Sequence, residues 1–314
     1  MAAATNSSTT APPQPCDLCG SANHRVFATK GRYGLPLRTV ICEGCGLVYT
    51  NPRPSDAETA DFYHDHYWGR YKGQSQPDER FFRRRLPKIK SMHAELRPFL
   101  TPGAAVLEIG CSVGALLSRI AESLRGQGRA IGIEAHTGHA TFARARKGLD
   151  VRAGLLHEVA PQFAPASFDL VVMNHVLEHT LSPSEVLRTV HSLLKPGGHL
   201  VVEVPNVEAP GSRLANFFHI AHNYAFSPVT LERLARKCGF VARRVQALDG
   251  DLPRTRLFGV FQKPFCGVPP VNGELPKDSP DGRAEALRKY DRWYLLTAAS
   301  LRKKVTHFRR QHLS

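Results

Sequence analysis

Val106-Leu-Glu-Ile-Gly-Cys-Ser-Val-Gly114 runs from an apolar segment into a glycine-bearing turn, and the helical pattern of Ala115 to Leu124 follows at once. A strand that ends in such a turn offers backbone N–H groups at a helix start and admits a ligand where a Cβ would collide. The turn by itself does not say which ligand. A dinucleotide fingerprint calls for glycines at 110, 112 and 115, but Ser112 and Ala115 hold the last two places, and no phosphate-gripping lysine accompanies the turn. Twenty residues past Gly114, Ile131-Gly-Ile-Glu134 puts a carboxylate at the end of the next apolar run. A carboxylate there takes both hydroxyls of a ribose, so the two signals together predict nucleoside binding without a pyrophosphate cradle.

From Ala104 to about Lys263, short β-branched runs alternate with helical stretches, which predicts a parallel α/β sheet. The expected strands are Ala105–Ile109, Ala130–Glu134, Phe168–Met173, His199–Val204, Val241–Ala247 and Leu257–Gln262. The expected helices between them include Ala115–Leu124, Ser184–Leu194 and Pro228–Cys238, with Lys195-Pro-Gly-Gly198 read as a stop and a turn. Upstream stand two cysteine knuckles, Cys16-Asp-Leu-Cys19-Gly20 and Cys42-Glu-Gly-Cys45-Gly46, with 22 residues between them. Thiolates three positions apart on a tight turn converge on one tetrahedral ion, and the glycine after each pair permits the turn. One such pair would serve redox work; two are the pattern of a metal site. Cys16, Cys19, Cys42 and Cys45 are therefore expected to hold a structural Zn²⁺, drawn together by short strands at Arg38–Ile41 and Leu47–Thr50.

These residues resemble the class I S-adenosylmethionine-dependent methyltransferases. The family's Glu/Asp-x-Gly-x-Gly-x-Gly hallmark is met by Glu108-Ile-Gly110-Cys-Ser-Val-Gly114, with Ser112 in the place of the middle glycine. The likeness continues through Phe168-Asp-Leu-Val-Val-Met-Asn-His-Val-Leu-Glu-His179 and Leu194-Lys-Pro-Gly-Gly-His-Leu-Val-Val-Glu-Val-Pro205. It implies an α/β fold with a Rossmann-like seven-stranded methyltransferase sheet and S-adenosylmethionine as cofactor. On that reading Glu108, Gly110, Cys111, Ser112 and Gly114 are cofactor-binding, with the glycine turn against the methionine moiety and orientation of the turn as the other reading of Glu108, while Glu134 holds the ribose and Asn174 sits near the cofactor. Leu155 stands where the family commonly places an acid for adenine, so backbone and apolar contacts are expected there. The wider arrangement, from the knuckles through Asn51-Pro-Arg-Pro54 to His222-Asn-Tyr-Ala-Phe-Ser-Pro228, looks like bacterial methyltransferases of surface-polysaccharide and deoxysugar pathways. That implies a sugar, glycan or glycolipid acceptor, most simply O-methylated. A more distant likeness to zinc-containing sugar C-methyltransferases leaves carbon attack open.

The sulfonium is already a strong electrophile, so the protein must align a nucleophile and accept its proton. His222, after the fifth strand of the sheet, and His175, after the fourth, are the candidates, because ligands of open α/β sheets bind at the carboxyl edge. His179 is read as capping or orienting its own helix. Two other readings stand beside this one. Small-RNA 2′-O-methyltransferases carry Glu-x-x-Glu-His here, where this chain has His175, Glu178 and His179, so metal-assisted RNA ribose methylation is an alternative with nucleic acid as partner. The other is a non-enzymatic zinc-ribbon scaffold.

The 314 residues carry 42 Lys+Arg against 27 Asp+Glu, a net charge of +15 that suits a polyanion or an anionic membrane without choosing between them. The Ala/Thr/Ser/Pro-rich start, 1–15, has no Lys, Arg or apolar run and is read as a disordered tail rather than a secretory signal. The two knuckles leave Cys111, Cys238 and Cys266 unpaired by pattern, and that odd remainder, with no export signal, leads to the expectation of a reducing cytoplasm. The expected organisation is tail (1–15), zinc ribbon (16–50), linker and cap helices (51–103), methyltransferase domain (104–263), and a linker with a basic amphipathic helix (264–314). In the linker, Phe62-Tyr-His-Asp-His-Tyr-Trp68 is an aromatic/His patch, and Arg80 to Lys90 is a basic run read as a solvated helix face. In the last segment Leu287, Tyr290, Tyr294, Ala298, Leu301, Val305 and Phe308 form one stripe, beside nine Lys/Arg and two Asp/Glu between Arg283 and Ser314. Docking on the protein and binding to an anionic membrane surface are equal expectations for it.

Overall fold

A computed structural model describes residues 12–53, 77–249, 254–265 and 279–296. The chain enters through β1 (His24–Lys30), β2 (Pro36–Cys42) and β3 (Val48–Thr50). Antiparallel pairing sets Thr39 opposite Thr50 and Ile41 opposite Val48, the strand pair expected to join the knuckles. Helix α1 (Glu79–Leu96) follows, its first turn capped by Asp78, which accepts the Phe81 N–H at 2.6 Å. Phe82, Ile89, Met92 and Leu96 recur at helical spacing and are buried, while Arg80, Arg83, Arg84, Lys88 and Lys90 face solvent, as the basic run predicts.

The main unit runs β4 (Ala105–Ile109), α2 (Ala115–Leu124), β5 (Arg129–Glu134), α3 (Thr137–Lys147), β6 (Asp150–Ala153), β7 (Phe168–Asn174), α4 (Pro183–Leu193) and β8 (Leu194–Pro205). It closes with β9 (Tyr224–Ala225), α5 (Pro228–Lys237), β10 (Val241–Leu248), β11 (Arg256–Gln262) and, further on, α6 (Pro280–Leu296). Seven strands form one sheet in the order β10-β11-β8-β7-β4-β5-β6. The five from β6 to β8 are parallel, and β11 and β10 return antiparallel at one edge. Leu170, Val171, Val172 and Met173 in the middle of the sheet have no exposed surface, the near-continuous apolar run that a strand covered on both faces requires. After β4 the chain builds outward through β5 and β6, then crosses to β7 on β4's other side. That reversal opens a crevice at the carboxyl ends of β4 and β7.

The expected seven-stranded α/β fold is present, with three local differences. Strand β6 is absent from the six expected strands because it has four residues and only Val151 is buried. Lys195-Pro-Gly-Gly198 is not a turn but the start of β8. It is held there by the segment after β11, where Gly197 N–H reaches Lys263 O and Lys263 N–H reaches Gly198 O, both at 2.9 Å. Helices α4 and α5 each end one residue earlier than expected.

The cysteine ribbon is not a separate bead. Strand β9, from the loop after β8, completes its sheet in the order β1-β2-β3-β9, with Val48 opposite Ala225. Tyr49 stacks on Tyr224 at 6.2 Å between ring centroids, and Cys16, Cys42, Cys45 and Leu47 share one buried core with Leu187 and Leu234. Helix α6 docks as well. Ala284 and Leu287 are buried with Val207 and Phe217, Tyr290 Oη accepts the Gly211 N–H at 3.0 Å, and Asp291 accepts the Leu214 N–H at 2.8 Å. Of its expected stripe, Ala298, Leu301, Val305 and Phe308 lie outside the described residues, as do the aromatic/His patch 62–68 and residues 1–11 of the expected tail. Among the described residues no helix is long and apolar enough to cross a membrane.

Candidate active site at the carboxyl edge of the sheet

The turn after β4 takes its shape from three left-handed residues, Gly110 (φ 72°), Ser112 (φ 52°) and Gly114 (φ 77°). The glycines are needed for a reason different from ligand approach. A Cβ on Gly110 would fall 2.5 Å from Val176 Cγ2, and one on Gly114 would fall 2.4 Å from Leu149 Cδ1. Protein side chains, not open space, back both positions. Cys111 points into the small core between the sheet and α3 and leaves only its backbone at the turn.

Glu134 closes this end of the crevice. Its buried carboxylate accepts Ser112 N–H at 2.7 Å and His136 N–H at 2.8 Å, which fixes the acid beside the turn. Burial raises its pKa, against the pull of those two N–H groups. Glu108, one strand away, is also buried, and Oε2 has no partner. Burial and then the neighbouring Glu134 charge push its pKa up to about 8. Ser112 Oγ lies 3.1 Å from His139 Nδ1, and burial, followed by His136 and Arg85, holds that imidazole down at about 3. Leu155, at 41% exposure, projects to solvent, and its N–H is taken by Glu158 Oε2 at 2.7 Å. Glu158 so closes the start of the short helix Leu156–Val159. Asn174, at the end of β7, keeps a buried Oδ1 without a partner.

The other side of the crevice is built by the segment after β7. His175 (φ 55°) lies between two carboxylates, Nδ1 3.3 Å from Glu178 Oε1 and Nε2 3.4 Å from Glu203 Oε1. The surrounding protein works against a charge on the ring, but these carboxylates outweigh it and push the pKa up to about 9. Glu203 is in turn paired with Arg256 at 3.1 Å. Burial would raise the Glu178 carboxyl, yet His179 and His175 hold it below the ordinary range. His222 packs against His179 with ring centroids 4.8 Å apart and against His219 at 3.7 Å. Burial first, then the adjacent imidazoles, lower its pKa well below the usual value. His179 does not orient its own helix. Its Nδ1 donates to Ala221 O at 2.6 Å, across to the loop that carries His222. Glu203 escaped the sequence reading, although an acid inside the apolar run Leu200-Val-Val-Glu-Val204 is the kind of signal that marks a working residue.

The four knuckle cysteines converge as expected. Cys16 Sγ lies 3.6 Å from Cys45 Sγ, Cys19 Sγ lies 3.4 Å from Cys42 Sγ, and all four sulfurs fall within 4.8 Å of one another. These separations exclude disulfides, which need about 2.05 Å. They approach the edge of about 3.8 Å set by a tetrahedral ion with bonds of about 2.3 Å. Gly46 and Gly20 adopt φ 75° and 77°, and their N–H groups close the knuckles onto Cys42 O and Cys16 O. A cavity of about 590 Å³ also opens between Ala121, Arg129, Leu149 and Phe163, beside the first residues of β5 and β6.

Residues 81–245 match the family described as "Methyltransferase domain", and this span holds every group of the crevice just described except Arg256. The chain belongs to the methyltransferase-domain family. An uncharacterized 37.1 kDa protein in transposon Tn4556 of Streptomyces fradiae is 27% identical to it over 48% of this chain and 43% of that one. The ubiquinone biosynthesis O-methyltransferase of Xanthomonas campestris is 34% identical over 33% of this chain and 44% of the relative. The methyltransferase-domain chain thus spans less than half the length of these curated relatives. Among solved structures, the 1,6-didemethyltoxoflavin-N1-methyltransferase of Burkholderia thailandensis is 20% identical, covers 76% of this chain and all of its own, and superposes with a TM-score of 0.53. At that identity the likeness shows the fold.

Proposed function

We propose that this protein transfers a methyl group from S-adenosylmethionine to a hydroxyl of a sugar, glycan or glycolipid. The observation that carries the reading is Glu134, buried at the end of β5 and held by Ser112 and His136 N–H groups beside the glycine turn. A carboxylate fixed there can grip a ribose, with the turn of Gly110 to Gly114 beside the sulfonium side chain and Asn174 Oδ1 offering an unused acceptor. The exposed apolar side chain of Leu155 serves adenine. When bound, the sulfonium supplies an activated methyl group. The chain's own part is to orient the acceptor oxygen and draw off its proton. On the opposite side His175, His179 and His222 present imidazoles over the buried Glu178, and these suit a polyhydroxylated molecule better than a flat apolar one. The lone pair that draws the proton belongs to the group around His222. The four cysteines fit a structural Zn²⁺.

Calorimetry with S-adenosylmethionine tests the cofactor, and transfer of labelled methyl to nucleotide sugars, glycans and RNA tests the acceptor. His222→Ala should slow turnover at least tenfold with cofactor affinity kept. Labelled RNA and unlabelled sugars would replace this reading with RNA ribose methylation. Failure to bind the cofactor would leave a scaffold.

A further inference from the structure

We infer that Arg32 and Thr50 of the cysteine ribbon hold His222 in place, gripping its loop from both sides. His222 belongs to the stretch between β8 and β9, which has left the main sheet, so no ladder of that sheet fixes it. Before His222, the Arg32 N–H donates to Phe218 O at 2.7 Å and Arg32 Nε donates to Asn216 O at 2.8 Å. After it, the Thr50 N–H donates to Asn223 O at 2.8 Å and Thr50 Oγ1 donates to His222 O at 3.4 Å. The pairing of Val48 with Ala225 and of Tyr49 with Tyr224 extends the second grip as a short ladder. The carbonyls of residues 216, 218, 222 and 223 thus find donors in the ribbon.

The fit is steric as well as polar. Gly31, just before Arg32, has no room for a side chain, since a Cβ there would fall 2.7 Å from Phe218 O and 2.8 Å from Leu37 Cδ2. The hairpin between β1 and β2 therefore approaches the loop as closely as a bare backbone allows. Phe27 of β1 meets Phe218 edge to face at 6.1 Å, and the adjacent Phe217 meets His222 edge to face at 6.5 Å. Ile41 and Val48 of the ribbon share one core with Phe217 and Phe218. A path of packed side chains runs from the ribbon to the imidazole. From the opposite side, His179 Nδ1 donates to Ala221 O at 2.6 Å and Asn223 Nδ2 donates to His179 O at 2.9 Å. These bonds face the loop toward the turn after β7, and the ribbon closes it from behind.

A proton acceptor works only within hydrogen-bond reach of the proton it takes, and a misplacement of about 1 Å can cost about 10²-fold in rate. Loop backbone is the least constrained part of a fold, so a histidine carried on it needs donors from elsewhere. The inference deepens the proposed function, on which it rests for the role of His222. The clamp itself stands on hydrogen bonds and packing. Arg32 and Thr50 act through the loop backbone and are positioning residues.

Arg32→Ala, Thr50→Val and the double variant test it in the full-length protein, with ¹⁵N-labelled histidine side chains read by NMR. The ring signal of His222 is identified by its loss in His222→Gln. In the double variant that signal should shift and broaden, while S-adenosylmethionine affinity stays within about twofold of wild type. The kcat for methyl transfer to nucleotide sugars should fall about fivefold or more. An unmoved His222 signal, or a moved one with kcat unchanged, overturns the inference. If Thr50→Val fails to fold, Arg32→Ala, which trims one partly exposed side chain, decides by the same signal. Calorimetry on the same samples separates the two proposals. Wild type that neither binds S-adenosylmethionine nor methylates nucleotide sugars retires the function, and the His222 signal then judges the clamp alone. Cofactor binding with an unmoved signal retires the clamp and keeps the function.

Discussion

Asp17, inside the first cysteine knuckle, accepts the backbone N–H of Ser184 at 2.8 Å and so ties that cysteine turn to the start of α4. The same carboxylate accepts from the hydroxyls of Ser182 at 2.9 Å and Ser184 at 3.0 Å. Asp17→Ala strands these donors at a buried serine, and should cost about 1–3 kcal/mol in the denaturant midpoint, part of it restored by Asp17→Asn. With Zn²⁺ held by the four cysteines as proposed, its removal with a chelator should lower the same midpoint in a single transition, because the ribbon and the sheet share one core. Two separate transitions would show the ribbon to be independent.

Glu134 holds two backbone N–H groups and, by the proposed function, a ribose. Charge-assisted bonds are worth about 1.5–3 kcal/mol each, so Glu134→Ala should weaken S-adenosylmethionine binding by about tenfold or more in calorimetry. Glu134→Gln should fall between. Equal affinity in all three proteins would remove the ribose contact.

Glu108 gives a pH test. Its folded pKa, about 8, lies above that of an ordinary carboxyl because of burial and Glu134. The folded state therefore binds the extra proton, and the group's contribution is complete below the unfolded pKa and lost as pH rises toward about 8. Stability should fall between pH 5 and pH 9, each pH unit of the rise costing up to about 1.4 kcal/mol. Glu108→Gln should flatten that slope and be the more stable protein at pH 9. A variant with the wild-type slope would place the dependence elsewhere.

Leu287 is buried against the body under α6. Leu287→Ala should cost about 2–5 kcal/mol if the helix folds as part of the domain, read as a lower thermal midpoint. Leu295, exposed on the same helix, is the control and should change little on substitution by Ala.

Much of this was legible in the sequence for reasons of period and chemistry. Strand β4 and helix α2 fall where the apolar run and the helical pattern placed them, Ala105–Ile109 and Ala115–Leu124. The knuckles met because two tight turns and two strands suffice to bring four sulfurs together. Strand β6 was not legible, since one buried valine leaves no alternation to read. The run 195–198 misled because its glycines and proline speak of local freedom, whereas Lys263 pairs it into the sheet.

Residue types and their spacing along the chain were enough to establish an α/β sheet, an acid after the second of its strands and a four-sulfur cluster, because each depends on neighbours a few positions away or on one repeating period. Only the tertiary structure could decide that β9 ties the ribbon to the sheet, that Val176 and Leu149 back the glycines, and that His179 meets His222 over Glu178. Those relations join residues tens of positions apart, and the packing that closes such distances leaves no periodic trace in the chain.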